Sequence, residues 1–270
     1  GAWVSTPAGE DWFYHFQDVG ALGRIVHLQP MKWMNDWPVM GIDADGDGCG
    51  EPVPHWKKPA IAGNHPVVTP QESDHFDGAT LGLQWQWHAN PGEWWSYSDS
   101  ATGTLSLYSV PIPADYQNLW DLPNLLLQKF PANRFTATAK LTFLPSDAII
   151  GERTGLVVMG MDYAMLSLEK TAEGFSLSQI SCKDADKEGE EMIHATVPLS
   201  TGALYLRVEV EPDAVCRFSY STDGKKFIPL GQSFTAREGK WIGAKTGLFC
   251  SRPVSNNDGG RVVLDSFIVE

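Results

Sequence analysis

The residues best suited to chemistry lie in one acidic loop. Asp43, Asp45 and Asp47 alternate with small residues and end at Gly48, a spacing that matches the first half of a calcium-binding loop. The match stops there, because Pro54 stands at the twelfth position, where such loops carry a bidentate glutamate. We therefore favour an Asp/Gly-rich hairpin turn and keep a calcium site as the alternative.

No segment of the sequence carries a motif for catalysis. The sequence contains no GxSxG, HExxH, phosphate-binding loop or dinucleotide fingerprint. Glycosidic bond hydrolysis by paired carboxylates needs one acid and one base or nucleophile on opposite sides of the bond. Acidic residues are plentiful, but none stands in a context that separates such a pair from ordinary surface charge. The sequence alone therefore places no catalytic residue in this chain.

The composition disfavours several classes of partner. Against 20 Lys and Arg stand 33 Asp and Glu, a net charge of -13, and no basic run is present. Nucleic acids and anionic membranes are therefore not predicted partners. No apolar stretch is long enough to span a bilayer. The four cysteines are far apart and form no metal or redox motif, so we predict buried free thiols at Cys49, Cys182, Cys216 and Cys250.

Tryptophans are concentrated in one segment in the first half of the chain. Trp85 and Trp87 alternate with glutamine and histidine, which is the period of a half-buried strand. An Asn-Pro-Gly turn follows, and Trp94, Trp95 and Tyr97 are predicted to form the returning strand of a hairpin. Most of these side chains are expected in a hydrophobic core. The alternative is a surface that faces sugar or another domain, because aromatic faces pack on pyranose rings.

The elements that must position these residues are predicted to be β-strands in two domains. Residues 1–60 form short antiparallel strands with more aromatic surface than so small a sheet can bury by itself. Residues 61–71 continue a proline-rich stretch that is typical of an extended linker. Residues 72–270 contain about a dozen short strands with hardly any helical periodicity, which predicts a two-layer antiparallel sandwich.

Two features of the second domain give specific expectations. Residues 135–143 alternate apolar and polar side chains without a break and form the clearest half-buried strand of the chain. The charged run at 183–191 is expected to be a solvated hairpin tip.

Several motifs resemble those of a known family. Residues 1–13, 23–33 and 37–41 resemble the closing blade of family 43 glycoside hydrolases, the β-xylosidase and α-L-arabinofuranosidase group. Residues 73–77, 81–87 and 90–91 are similar to the start of the concanavalin-like sandwich attached to many of these enzymes. The resemblance covers essentially the whole chain. It implies an all-β fold, in which the closing blade of a five-bladed β-propeller precedes a concanavalin-like antiparallel β-sandwich.

The same resemblance implies a function. The chain would be the C-terminal portion of an inverting glycoside hydrolase, a β-xylosidase or α-L-arabinofuranosidase acting on oligosaccharides from xylan or arabinoxylan. The three catalytic carboxylates of the family come from earlier blades and match nothing in this chain, which would be inactive alone. Its expected partners are the oligosaccharide substrate and a preceding propeller segment, and homo-oligomerisation is left open. The resemblance favours a periplasmic or secreted bacterial protein and leaves a cytoplasmic one open.

The resemblance also assigns roles to individual residues. It places Arg24 in the sugar pocket, where a guanidinium hydrogen-bonds substrate hydroxyls, although spacing alone favours a surface ion pair. It implies that the sandwich packs on the propeller and helps to shape this pocket. No cofactor is required for the chemistry. A structural calcium ion would be bound by Asp74, Asp77 and Asp265, and the alternative is that these are capping and turn carboxylates.

A second function of a different class is compatible with the sequence. The sandwich could be a carbohydrate-binding module without catalysis, with Trp94, Trp95 or Trp120 as stacking platforms. Tight binding of xylo-oligosaccharides by residues 72–270 alone would favour this alternative.

Overall fold

The computed structural model describes residues 1–270, which form two compact units. Unit 1 comprises residues 1–19 and 24–69, and unit 2 comprises residues 20–23 and 70–270. Both units consist of β-sheet with a few single-turn 3-10 helices, so the all-β fold class is confirmed. The structure contains no helix with the length and apolar character needed to cross a membrane.

Unit 1 is one antiparallel sheet whose strands follow one another in chain order. The strands are β1 (Ala2–Ser5), β2 (Asp11–Asp18), β3 (Arg24–Met34) and β4 (Trp37–Met40). Asn35 and Asp36, with φ of 51° and 62°, form the two-residue turn between β3 and β4, because asparagine and aspartate tolerate the left-handed backbone.

The sheet of unit 1 leaves much of its apolar surface exposed, as the sequence predicts. Trp12 and Met31 are buried, whereas aromatic side chains from every strand remain open to solvent. These exposed aromatic residues are Trp3, Tyr14, Phe16, Trp33 and Trp37. A four-stranded sheet with this much uncovered aromatic surface is incomplete as a hydrophobic core.

Unit 2 contains two eight-stranded sheets. Its strands are β5 (Gln86–Trp87), β6 (Ser96–Asp99), β7 (Thr104–Tyr108), β8 (Val110–Pro111), β9 (Leu126–Lys129), β10 (Phe135–Leu144), β11 (Arg153–Met159), β12 (Tyr163–Thr171), β13 (Gly174–Cys182), β14 (Glu191–Leu199), β15 (Ala203–Glu211), β16 (Val215–Ser221), β17 (Ile228–Pro229), β18 (Phe234–Thr235), β19 (Lys245–Arg252) and β20 (Arg261–Val269). The first sheet has the order β17-β16-β15-β10-β20-β7-β6, with β18 beside β16. The second has the order β14-β13-β12-β11-β19-β9-β5, with β8 parallel to β19.

The main core lies between the two sheets. In β10 every second side chain is buried, from Phe135 to Phe143, as the alternation of the sequence predicts. These side chains pack with Leu206 and Val208 of β15 and with residues of the second sheet such as Leu156 and Leu248. One face of β10 therefore lies in the core and the other faces away from it, which explains the alternating sequence of the strand.

A second core lies on the other face of the second sheet. Leu119, Leu122 and Leu125 come from a segment without strands and pack on Tyr163 and Phe249 of the sheet. The segment begins its 3-10 turn, Leu119–Asp121, with a capping box, in which the Asn118 side chain accepts a hydrogen bond from the Trp120 amide.

A polar network attaches this covering segment to the sheet. Glu191 pairs with Arg153, with 3.1 Å between Nη1 and Oε2, and accepts a 2.6 Å hydrogen bond from the Tyr163 hydroxyl. Arg153 also donates to the Tyr116 hydroxyl, and the Leu119 amide donates to Tyr163 at 3.0 Å. Burial together with Glu191 raises the pKa of Tyr163, so the phenol remains a donor to the carboxylate. The expectation of a fully solvated tip at 183–191 is therefore wrong at its end, because Glu191 is half-buried in this network.

The predicted tryptophan hairpin is also wrong. The strand β5, which carries Trp87, pairs with β9 in the second sheet, whereas β6, which carries Tyr97, pairs with β7 in the first sheet. The turn between them therefore crosses from one layer of the sandwich to the other. Alternation in a sequence tells which side of a strand is buried but not which strand is its neighbour.

The cysteines follow the prediction in three positions of four. All four are free thiols, and Cys182, Cys216 and Cys250 are buried, whereas Cys49 is exposed. Burial raises the pKa of Cys182 to about 11 and that of Cys216 to about 12, so these thiols stay protonated and unreactive at neutral pH.

His88 makes the stability of unit 2 depend on pH. Its Nε2 lies 3.0 Å from the Trp120 carbonyl oxygen, and burial lowers its pKa below the ordinary value of 6.5. As pH falls below about 6.5, the unfolded chain binds this proton before the folded chain does, so stability decreases. We expect His88 to remove up to about 1 kcal/mol of unfolding free energy between pH 7.5 and 5.5. Urea unfolding at both pH values measures this.

The control for this prediction is a histidine on the surface. The variant His88→Gln should show a smaller loss of stability between the two pH values than the wild-type chain. The variant His55→Gln, at an exposed position, should show the same loss as the wild-type chain. An equal loss in the wild-type chain and in His88→Gln would contradict the prediction.

Candidate functional site

Arg24 begins β3, directly opposite Asp18 at the end of β2. Its Nε lies 3.8 Å from Asp18 Oδ2, and its guanidinium lies over the Phe16 ring at 4.7 Å from the ring centroid. The side chain is partly exposed. The face of the Phe16 ring orients the guanidinium, which a residue that binds a polar ligand needs, whereas the long and exposed pair with Asp18 adds little. The ion pair is the one that spacing alone predicts, and the role of Arg24 in a sugar pocket stays a prediction.

The turn that precedes Arg24 belongs to unit 2. It contains the 3-10 helix Gly20–Leu22, in which Ala21 is buried and accepts a 2.7 Å hydrogen bond from the Ala244 amide. Gly23 has a φ of 72° and lies so close to Gly243 that a Cβ on Gly243 would be 2.5 Å from the Gly23 nitrogen. Two glycines are therefore required where these two backbone segments meet.

The loop 237–243 of unit 2 leads into this contact. Arg237 anchors the start of the loop through an ion pair with Asp162, with 3.0 Å between Nη1 and Oδ1. The hydrogen bond from the Ala244 amide to the Ala21 carbonyl anchors its end. Between them Trp241 has a φ of 65° and is 81% exposed. A bulky residue in left-handed backbone with an exposed indole ring is uncommon and favours a functional role. Sequence reasoning missed Trp241; the only signal is its place between Gly239 and Gly243.

Asp74 has a structural environment. Its Oδ1 accepts a 2.8 Å hydrogen bond from the Phe76 amide, and its Oδ2 accepts hydrogen bonds from Trp85 Nε1, at 2.8 Å, and Gln84 Nε2, at 3.2 Å. Its backbone pairs with that of Phe267. Asp74 thus connects the start of unit 2 to its last strand. Both of its carboxylate oxygens already accept hydrogen bonds from the protein.

The structure does not bring Asp74, Asp77 and Asp265 together as one set of metal ligands. Asp77 is exposed, and Asp265 forms an ion pair with Lys140, with 3.2 Å between Oδ1 and Nζ. The register of β20 shifts at Asp265, which is the extra residue of a β-bulge opposite Lys140 and Leu141. The residues present do not fit a calcium ion at this place, and the arrangement agrees with the alternative of turn and capping carboxylates.

The loop of Asp43, Asp45 and Asp47 does bring three carboxylates together. One oxygen from each lies within 4.8 Å of the others. The same carboxylates accept hydrogen bonds from loop amides: Asp43 from Gly46 at 2.7 Å, and Asp47 from Cys49 at 2.7 Å. These bonds are the ones that the turn interpretation requires. Calcium binding in this loop stays a prediction.

The three tryptophans proposed as sugar platforms have different environments. Trp95 is buried and packs edge to face on Trp87, with 5.4 Å between ring centroids. Trp120 is partly buried between His88 and the ammonium group of Lys240. Trp94 alone of the three is exposed, with 56% of its surface open to solvent. Of these three tryptophans, only Trp94 therefore presents a face on which a sugar can stack.

Comparisons with known proteins agree on the kind of protein. The family model for the β-xylosidase C-terminal concanavalin A-like domain matches residues 73–270. A relative from Xylanibacter ruminicola is 34% identical over 257 residues, which cover 92% of this chain and 43% of that protein. The "Beta-xylosidase" of Formosa agariphila is 30% identical over 293 residues, which cover 99% of this chain and 47% of that protein. The chain thus spans about half the length of the curated relatives it matches.

Solved structures show the same fold over the whole chain. The xylan β-1,4-xylosidase of Bacillus halodurans superposes with a TM-score of 0.79 at 20% identity, over 99% of this chain and 52% of that one. A bifunctional GH43-CE protein of Bacteroides eggerthii superposes with a TM-score of 0.78 at 23% identity, over 100% of this chain and 34% of that one.

The fold and the sandwich core define an all-β protein with a concanavalin-like domain of about 200 residues. The chain belongs to the family of β-xylosidase C-terminal concanavalin A-like domains, which confirms the resemblance to family 43 glycoside hydrolases.

Proposed function

We propose that this chain is the C-terminal part of a glycoside hydrolase that releases xylose or arabinose from xylan-derived oligosaccharides by an inverting mechanism. The observation that carries the proposal is the match of nearly the whole chain to half of a relative named β-xylosidase. A protein of Bacteroides ovatus named non-reducing end α-L-arabinofuranosidase is 28% identical over 67% of this chain, which leaves the two sugars as alternatives.

Unit 1 supports the part of the proposal that concerns a preceding propeller segment. Its outer strand β1 is exposed at all four residues and pairs on one side only, with β2. Such an edge, next to uncovered aromatic side chains, is suited to a further strand or sheet of the same protein. We propose that unit 1 is the closing blade of a β-propeller whose other blades carry the catalytic acid and base.

Unit 2 supports the proposed role of the sandwich in the sugar pocket. The turn 20–23 immediately precedes Arg24 in the sequence and is held by the backbone around Gly243. The sandwich therefore holds the turn that directly precedes Arg24 in the chain. An arginine in a sugar pocket can donate two hydrogen bonds to vicinal hydroxyl groups of a sugar.

The experiment compares the isolated chain with a protein that also contains the preceding segment. We expect the 270-residue chain to have no activity on an aryl β-xyloside or an aryl α-L-arabinofuranoside, because the proposed catalytic acid and base belong to the preceding blades. The longer protein should hydrolyse one of them. Proton NMR of the first product should show the anomer opposite to that of the substrate. Turnover by the isolated chain would contradict the proposal, and a retained anomer would contradict inversion.

A further inference from the structure

We propose that unit 2 carries a saccharide-binding cleft at the end of the sandwich opposite to the loop 237–243. The cleft has a volume of about 770 Å³ and is bordered by β6, the end of β7 and the loop 252–260. Three kinds of group that bind sugars line it: aromatic faces, side-chain amides and a guanidinium. The residues that carry the argument are Trp94, Tyr97, Tyr108, Arg252 and Asn256.

The aromatic groups of the cleft are open to solvent. Trp94 is 56% exposed and Tyr97 is 58% exposed. Tyr97 lies on β6, the edge strand of the first sheet, and its cross-strand partner is Ser106, whereas the neighbouring Leu105 and Leu107 face the core. The sheet therefore directs Tyr97 outward. Exposed aromatic side chains cost solvation free energy, and a sugar that covers them with its apolar face recovers it.

Arg252 is a preformed hydrogen-bond donor in the wall of the cleft. It is only 7% exposed, and its Nε donates to the Val254 carbonyl at 3.1 Å, while its Nη2 donates to the Asn256 carbonyl. Its Nη1 forms no hydrogen bond with a protein acceptor. A buried guanidinium that is oriented by two carbonyls keeps donors for a ligand without the entropy cost of ordering a flexible side chain.

The cleft and the loop 237–243 lie at opposite ends of β19. That loop precedes β19 at Lys245, and Arg252 is the last residue of the same strand. A strand of this length separates its ends by about 23 Å. A saccharide in the cleft would therefore be held at a distance from the exposed Trp241 and from the turn that precedes Arg24.

The charges favour a neutral saccharide. Glu93 borders the cleft together with Arg252, and the chain has a net charge of -13, which disfavours acidic polysaccharides. The cleft lies beside the edge strand β6, and its volume of about 770 Å³ is suited to a short run of linked sugars rather than one monosaccharide. The choice of a β-1,4-linked xylan chain as the ligand rests on the proposed function.

The test is a binding experiment on the 270-residue chain. Isothermal titration with xylohexaose, and retardation in native gels that contain soluble arabinoxylan, should detect binding by the wild-type chain. We expect Trp94→Ala and Tyr97→Ala each to weaken this binding by at least about tenfold, because each removes a stacking face. The variant Trp37→Ala removes an exposed tryptophan outside the cleft and should bind like the wild-type chain.

The outcomes separate this proposal from the proposed function. Binding of cellohexaose instead of xylohexaose, lost in Trp94→Ala, would support a saccharide cleft and contradict xylan as the ligand. No binding of any hexaose, or binding that Trp94→Ala and Tyr97→Ala leave unchanged, would overturn the cleft while hydrolysis by the longer protein stays a separate question. A change of oligomeric state in Trp94→Ala without saccharide binding would show that Trp94 belongs to a contact between chains, and would also overturn the proposal.

Discussion

Replacement of Arg153 by leucine is expected to destabilise unit 2 by about 3 kcal/mol, because it leaves Glu191 without its cationic partner in a mostly buried place. The loss includes the hydrogen bond to the Tyr116 hydroxyl, which lies in the segment that covers the second core. Burial alone would lower the pKa of Arg153, but the adjacent Glu191 carboxylate raises it, so the guanidinium stays charged. Urea unfolding at pH 7, followed by tryptophan fluorescence, measures the change.

A double-mutant cycle distinguishes the pair from a simple loss of packing. The double variant Arg153→Leu with Glu191→Leu should be less destabilised than the sum of the two single variants, because it leaves no unpaired buried charge. The control is Arg217→Leu, which breaks an exposed ion pair with Glu211 and should cost less than about 1 kcal/mol. Additive effects in the cycle, or equal effects of Arg153→Leu and Arg217→Leu, would contradict the role assigned to the pair.

The fold class followed from the sequence because burial in sheets has a simple period. In β10 the alternation alone identifies the five buried side chains. The partners of the strands could not be predicted in the same way. The sequence around Trp87 and Tyr97 predicts a local hairpin. Its two strands instead pair with β9 and β7, which belong to different sheets. Such partners are set by the global topology, which one strand does not encode.

Residues of the candidate site could be singled out from the sequence where a family motif contains them. They could not be singled out where only the three-dimensional fold brings them together. Arg24 was singled out through the resemblance, and the structure adds its contacts with Asp18 and Phe16. The proposed calcium ligands Asp74, Asp77 and Asp265 have separate environments, since Asp265 lies at a β-bulge and pairs with Lys140, and a bulge leaves no clear mark in a single sequence. Glu191 was hidden in a charged run that is otherwise typical of solvent-exposed loops.

The variant Arg24→Ala, made in a longer protein that contains the preceding propeller segment, is expected to lower kcat/KM by about 100-fold. Two charge-assisted hydrogen bonds to substrate hydroxyls, at about 1.5 kcal/mol each, account for an effect of this size. Because Arg24 is partly exposed and its pair with Asp18 is long, at 3.8 Å, the same variant should change the unfolding free energy by less than about 1 kcal/mol.

The variant Asp18→Asn supplies the matched control for Arg24, because it removes the charge of the ion-pair partner and keeps the guanidinium over Phe16. If Arg24 acts in the sugar pocket, Asp18→Asn should retain kcat/KM within about fivefold, because the donors to the sugar remain. Arg24→Lys should recover only part of the activity, since an ammonium group cannot donate two parallel hydrogen bonds. If Arg24 serves only as a surface ion pair, Arg24→Ala and Asp18→Asn will have equal and small effects on kcat/KM, and its assignment to the sugar pocket is then wrong.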